Sequence, residues 1–161
     1  MTELSEPDEA QVAAFWERAI AAGVVLSGTP APELVEPFGD SVELADELIG
    51  LVVDGPKRAT AGALADHESS GEPLPFVGML SIATDGQGRA RALLRTTDVR
   101  IGPLSSVDDA FAWDEGEGDR TRADWLAAHT GYFQRYLPTI GVVFDADMPT
   151  VFERFEVLYS E

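Results

Sequence analysis

The chain has no cysteine at any of its 161 positions. Disulfides, thiolate metal sites and a cysteine nucleophile are therefore excluded, and the sequence suits a reducing compartment. Only two histidines are present, His67 and His129, far apart in sequence, so a His-rich zinc site has no basis. No apolar run approaches the length of a membrane span, and residues 1–10 are acidic and lack an apolar signal core. The expectation is a cytoplasmic protein with no membrane partner. Lysine is the last scarcity: Lys57 is the only one, and the other ten basic residues are arginine. Arginine stays charged, whereas a lysine can lose its proton when buried and act as a base or nucleophile. Arginine-biased codon usage explains the same count without assigning Lys57 a role.

What is present suits one folded domain. Hydrophobic residues make up 45% of the chain, enough for a single core at this length. The net charge is -18, which opposes broad binding to a polyanion. The charge is uneven, however. Residues 57–100 hold six of the eleven basic residues and five acids, a balance of +1, against -19 for the remainder. A basic face in an acidic shell can take a phosphorylated ligand while avoiding bulk nucleic acid; solvated strand arginines are the plainer reading.

Periodicity predicts the elements. Val12, Phe15, Trp16, Ala19 and Ile20 mark an amphipathic helix over 8–23, whose wide aromatic face suits packing on its own domain or a homodimer contact. The proline-rich stretch 27–37 reads as a linker or wrapping loop. A second helix follows, with Asp40 as the expected cap and Glu43 three residues on. Lys57-Arg58-Ala59-Thr60 reads as an extended or turn segment, with a short helix over 61–68. Strands are predicted over 78–84 and 89–97 about an Asp85-Gly86-Gln87-Gly88 turn, and 99–104 continues or bends the second. A helical turn is expected at 108–113, a loop at 115–119, a long helix at 121–136 and a closing strand at 149–159.

Five segments in this order carry a resemblance. They are Phe38-Gly39-Asp40-Ser41; Gly55-Pro56-Lys57-Arg58-Ala59-Thr60; Arg95-Thr96-Thr97-Asp98-Val99; Glu115-Gly116-Glu117-Gly118-Asp119 with Trp125 and His129; and Glu153-Arg154-Phe155-Glu156-Val157. Together they resemble the ASCH (activating-signal-cointegrator homology) domain family, in its bacterial branch with an N-terminal helical extension. The resemblance covers roughly residues 36–159. It implies an α+β fold, a PUA-like small mixed β-barrel with flanking helices. Residues 1–35 would form a helical extension and linker packed on the main domain, 36–161. It implies binding of RNA or modified nucleosides. Some members are similar to small amidohydrolases that deacetylate acetylated cytidine; others are reported as ribonucleases. The amidohydrolases use a lysine, a threonine three residues later and a distant glutamate. Lys57 and Thr60 match that spacing, and the glutamate is Glu115 or Glu117.

Amide hydrolysis needs a nucleophile, a base and a donor to the leaving amine. A lysine in a partly desolvated cleft can take a proton from the Thr60 hydroxyl or from water, and a glutamate of raised pKa can protonate the leaving amine. The candidate catalytic residues are thus Lys57, Thr60, Glu115 and Glu117. Arg58, Arg95, Trp113 and Asp119 are the candidate substrate contacts: Arg95 for a phosphate or oxyanion, Trp113 for stacking on a base. No cofactor and no metal are expected, the acidic loop matching no EF-hand spacing. Plainer readings stand beside each. Lys57 and Arg58 can be turn charges, Thr60 a helix cap, Glu115 and Glu117 a solvated turn or a weak divalent-cation site through oxygen ligands, Trp113 and Trp125 core residues, His129 a packing histidine and His67 an exposed one. Two functions therefore stay open: a hydrolase acting on a modified nucleoside or RNA, with the ribonuclease variant included, and a module that binds a nucleoside or single-stranded RNA without breaking a bond.

Overall fold

Asp8 starts the first helix. Its carboxylate accepts from the Gln11 amide at 3.0 Å, satisfying one of the amide donors that a helix start leaves unpaired, and α1 runs Glu9–Ala21. The computed structural model describes residues 3–161. Its element order continues with β1 (Val35–Pro37), α2 (Val42–Val53), β2 (Ala59–Ala63), α3 (Leu64–Ser70), β3 (Leu80–Thr84), β4 (Ala90–Pro103), α4 (Asp109–Glu115), α5 (Arg122–Tyr136) and β5 (Pro149–Ser160). The strands form one sheet in the order β1-β3-β4-β5-β2. β1 pairs parallel with β3; β3–β4 and β2–β5 are antiparallel.

The chain divides into two compact units. The first comprises residues up to 55, 78–95 and 156–161. Phe15, Trp16 and Ala19 of α1 pack there on Ile82, Ala90 and Leu93 of the β3–β4 hairpin, with Phe15 edge-on to Tyr159 at 5.3 Å between ring centroids. The hairpin turn is tied by Asp85, whose Oδ1 accepts from the Gln87 and Arg89 amides at 3.0 Å each. Burial would raise its pKa, but these bonds and the Arg89 guanidinium hold it low. Gly88 has φ +77°, and a Cβ there would lie 2.1 Å from the Glu6 carbonyl oxygen, so the turn admits only glycine against the incoming N-terminal segment.

The second unit comprises residues 56–77 and 96–155. Its core joins Ala59 and Ala63 of β2, Phe111 and Ala112 of α4, Trp125 and Phe133 of α5, and Phe152 of β5. Phe111 meets Phe152 edge-to-face at 5.1 Å. Asp108 caps α4 through the Phe111 amide at 2.7 Å, and Thr121 caps α5 through the Asp124 amide at 3.2 Å.

Four sequence expectations change. The 27–37 stretch contains β1, because Val35-Glu36-Pro37 finds a parallel partner in β3. The cap of α2 is Ser41, whose hydroxyl accepts from the Leu44 amide; Asp40 lies one residue too early. The segment predicted helical from 61 stays in β2 through Ala63, held by pairing with β5, and turns helical only at Leu64. His67 is half-buried rather than exposed.

Candidate active site

The Gly-Pro-Lys segment delivers Lys57 into the second unit just before β2. Its side chain is 1% exposed. Burying an ammonium needs several compensating acceptors, and Lys57 has them. Nζ donates to the Ala59 carbonyl at 2.8 Å and to Glu117 Oε2 at 2.9 Å, and Glu115 Oε1 lies 3.8 Å away. The acids come from the end of α4. Glu115 is its last residue, and Gly116 reverses the chain at φ +72°. A Cβ on Gly116 would lie 2.8 Å from the Lys57 backbone nitrogen, so the Glu-Gly-Glu loop presses directly on the lysine. The Arg58 amide adds a 2.7 Å bond to the Asp114 carbonyl.

The two glutamates are not equivalent. Glu115 is fully buried. Its Oε1 lies 2.7 Å from His129 Nε2, and its Oε2 accepts a short hydrogen bond from the Trp125 indole N–H. Burial alone would raise its pKa, but the charges of Lys57 and His129 outweigh it and hold the carboxyl down at about 2. Glu117 keeps 29% of its side chain exposed. Burial raises it; Lys57 opposes, and the hydrogen bond and charge of Glu115 push it further, to about 6. Glu115 is therefore a fixed anion, and Glu117 is the group that can carry a proton near neutrality.

His129 belongs to this network. Nδ1 meets the Trp125 carbonyl at 2.9 Å, so that nitrogen is the donor, and the ring stacks on Trp125 at 3.7 Å. Burial lowers its pKa, but the Glu115 charge and hydrogen bond raise it overall. The packing role read from the sequence holds, with an ionic bond to Glu115 added. Glu115, Glu117 and His129 each offer one ligand atom within 4.8 Å of the others, a set that could hold a divalent cation. The Lys57 ammonium shares these same carboxylates and competes with such an ion.

The remaining candidates fall elsewhere. Thr60 pairs across the β2–β5 ladder with Glu153, and strand alternation puts it on the face opposite the buried Ala59. Among the described residues no hydrogen bond joins its hydroxyl to Lys57. The Arg58 guanidinium donates to the Lys57 carbonyl at 2.6 Å. Arg95 pairs with Glu156 on the surface, Nε to Oε1 at 2.6 Å. Asp119 accepts from the amide and hydroxyl of Thr121 at 2.9 and 2.6 Å, which organises the start of α5. Trp113 is 57% exposed with the Arg120 guanidinium 3.6 Å above its ring. Arg120 has φ +65°, and its Nε bond to the Trp113 carbonyl at 2.9 Å holds it there.

An α+β chain with a five-stranded sheet, flanking helices and a buried lysine–glutamate centre is a PUA-like fold. The chain belongs to the ASCH domain family, whose model matches residues 35–159. A crystal structure of an ASCH domain from Lactobacillus crispatus superimposes with TM-score 0.81 at 28% identity, covering 93% of this chain and 95% of that one. An Enterococcus faecalis protein assigned to the DUF984 family is similar with TM-score 0.80 at 34% identity, covering 92% and 88%. No curated protein shows significant similarity. Among the described residues no helix is long and apolar enough to cross a membrane.

Proposed function

We propose that the protein is a small amidohydrolase acting on an acylated nucleoside, with Lys57 and Glu117 as its acid–base pair. One observation carries this reading: the only lysine of the chain is buried and hydrogen-bonded at 2.9 Å to a glutamate whose pKa is pushed up to about 6. A proton shared across that bond can sit on Glu117 and leave Lys57 neutral. Lys57 then takes a proton from the attacking water, while Glu117 gives its proton to the leaving amine. Transfer across the Lys57–Glu117 bond restores the starting state, so the proton count closes. Glu115, held by His129 and Trp125, keeps the lysine in place.

The charge distribution favours a small ligand over a long RNA. Within residues 57–100, Arg58 bonds the Lys57 carbonyl, Arg89 pairs with Asp85, Arg91 bonds the Glu161 carbonyl, Arg95 pairs with Glu156 and Arg100 bonds Ser106. Arginines tied to neighbours in this way leave little cationic groove for a phosphate chain.

The test is hydrolysis of acetylated cytidine and a panel of acylated nucleosides, followed by chromatography for the wild type, Lys57→Ala and Glu117→Gln. Each variant is expected to lose about 10²–10⁴ in rate, and the wild-type rate should rise as pH rises through about 6, where the pair gives up the second of its two protons and the remaining one can be shared between Lys57 and Glu117. Full turnover by folded Lys57→Ala removes the lysine from the mechanism. A folded wild type that hydrolyses none of the panel sinks the enzyme reading and favours a binding module.

A further inference from the structure

Glu115 is carried by a helix, but Glu117 is not. It stands in the turn 116–120 between α4 and α5. From there it faces Lys57 from the segment before β2, Glu115 from the end of α4 and His129 from α5. A glycine flanks it on each side, Gly116 and Gly118, and glycine leaves a chain the widest choice of conformations. Contacts from outside the turn must therefore hold the carboxyl at 2.9 Å from the lysine. One set comes from α5: the Asp119 amide donates to Asp124 Oδ2 at 3.2 Å, and a Cβ on Gly118 would collide with that same oxygen.

Arg120 ties the turn back to α4. Its Nε donates to the Trp113 carbonyl at 2.9 Å. Trp113 lies in the last turn of α4, where helix carbonyls lack a partner within the helix and a cation meets the negative end of the dipole. The guanidinium carbon stands 3.6 Å from the centre of the Trp113 ring, within cation–π range. One face of the ring that the sequence offered to a base is thus covered by an arginine. The amide of the same residue donates to the Glu117 carbonyl at 3.1 Å. Arg120 makes all three contacts at φ +65°, and among the described residues it is the one non-glycine with a positive φ. Such strain persists where surrounding contacts over-determine it, and it gathers at functional sites.

We propose that Arg120 is a positioning residue for the hydrolysis: clasped to the carbonyl and ring of Trp113, it holds the turn so that Glu117 stays on Lys57. Arg120 itself touches neither member of the acid–base pair through its side chain; it acts through the backbone of Glu117. This inference rests on the reading of Glu117 as the acid of the reaction.

The test removes the clasp and leaves the backbone free to keep its shape. Glycine adopts a positive φ without steric cost, so Arg120→Gly deletes the side chain alone. Arg120→Asn, a residue that also tolerates this conformation, serves if the glycine variant fails to fold. The first readout needs no substrate: NMR titration of the Glu117 side-chain carboxyl carbon in the full chain. Burial is the largest cause that raises this group to about 6, so a Glu117 released into water should titrate closer to 4.5. The second readout is the steady-state rate on acylated nucleosides. A displaced acid should lower kcat about tenfold to a hundredfold and leave KM nearly unchanged. A folded variant in which the Glu117 titration and kcat both match the wild type overturns the inference and leaves the clasp a role in stability alone. A lowered Glu117 pKa together with a lowered kcat supports it. If the wild type hydrolyses none of the panel, the enzyme reading falls, and a lowered Glu117 pKa in the variant still supports Arg120 as the residue that positions this carboxyl.

Discussion

A single carboxylate, Glu115, organises three groups at once: the Lys57 ammonium, the His129 imidazole and the Trp125 indole. Removing its charge leaves a buried ammonium with one anion fewer, a change that typically costs about 3–5 kcal/mol. Glu115→Gln should therefore lower the urea midpoint sharply at neutral pH. The pH dependence follows from the two shifts. Glu115 is held below its ordinary value, so its stabilisation is complete above pH 4.5 and is lost as pH falls toward 2. His129 is raised, so its stabilisation is full below pH 6.5 and is lost as pH rises through its folded pKa. In Glu115→Gln the burial of the ring should dominate and drop the His129 pKa below 6.5. Proton NMR of the imidazole reads this directly; a His129 titration unmoved by the substitution would show that Glu115 does not hold the ring.

The turn that ends α4 governs the site at the scale of elements. Gly116 must adopt φ +72°, and any side chain there meets the Lys57 backbone. Gly116→Ala should cost at least about 1 kcal/mol from the left-handed backbone alone. It should also lower hydrolysis, because Gly116 joins Glu115 at the end of α4 to Glu117 in the loop; a variant with unchanged melting temperature and rate would rule out that coupling. Elements set by local pattern were legible in the sequence. The aromatic stripe of α1, the Thr121 cap of α5 and the Asp85–Gly88 turn can all be read from neighbours a few residues apart. β1 and the length of β2 were not, because Val35-Glu36-Pro37 and Ala59-Thr60-Ala61-Gly62-Ala63 have weak strand character and become strands only by pairing with β3 and β5. The site divides in the same way. The Lys57 and Glu115-Gly116-Glu117 segments stand out in the sequence, and the structure joins them. The ionic role of His129 depends on where α5 lies beside α4.

At the scale of the whole molecule the net charge of -18 sets two opposite salt responses. Uncompensated carboxylates repel one another in the folded state, and salt screens that repulsion over a Debye length of about 10 Å at 0.1 M. The melting temperature should therefore rise as salt is added. Ligand binding should behave differently. A protein that grips an RNA backbone releases counterions and loses affinity with a slope near -0.7 per phosphate contacted on a single strand. Here the arginines of residues 57–100 are already bonded to neighbours, and the proposed ligand is an uncharged nucleoside held at Lys57 and Glu117. Affinity for cytidine measured from about 50 to 200 mM salt should then be flat while the melting temperature climbs. A steep fall in affinity for a single-stranded oligoribonucleotide over the same range, at an affinity well above that for the nucleoside, would instead mark phosphate contacts as the source of binding. The protein would then be a reader of RNA backbone, with the buried lysine–glutamate pair serving its stability alone.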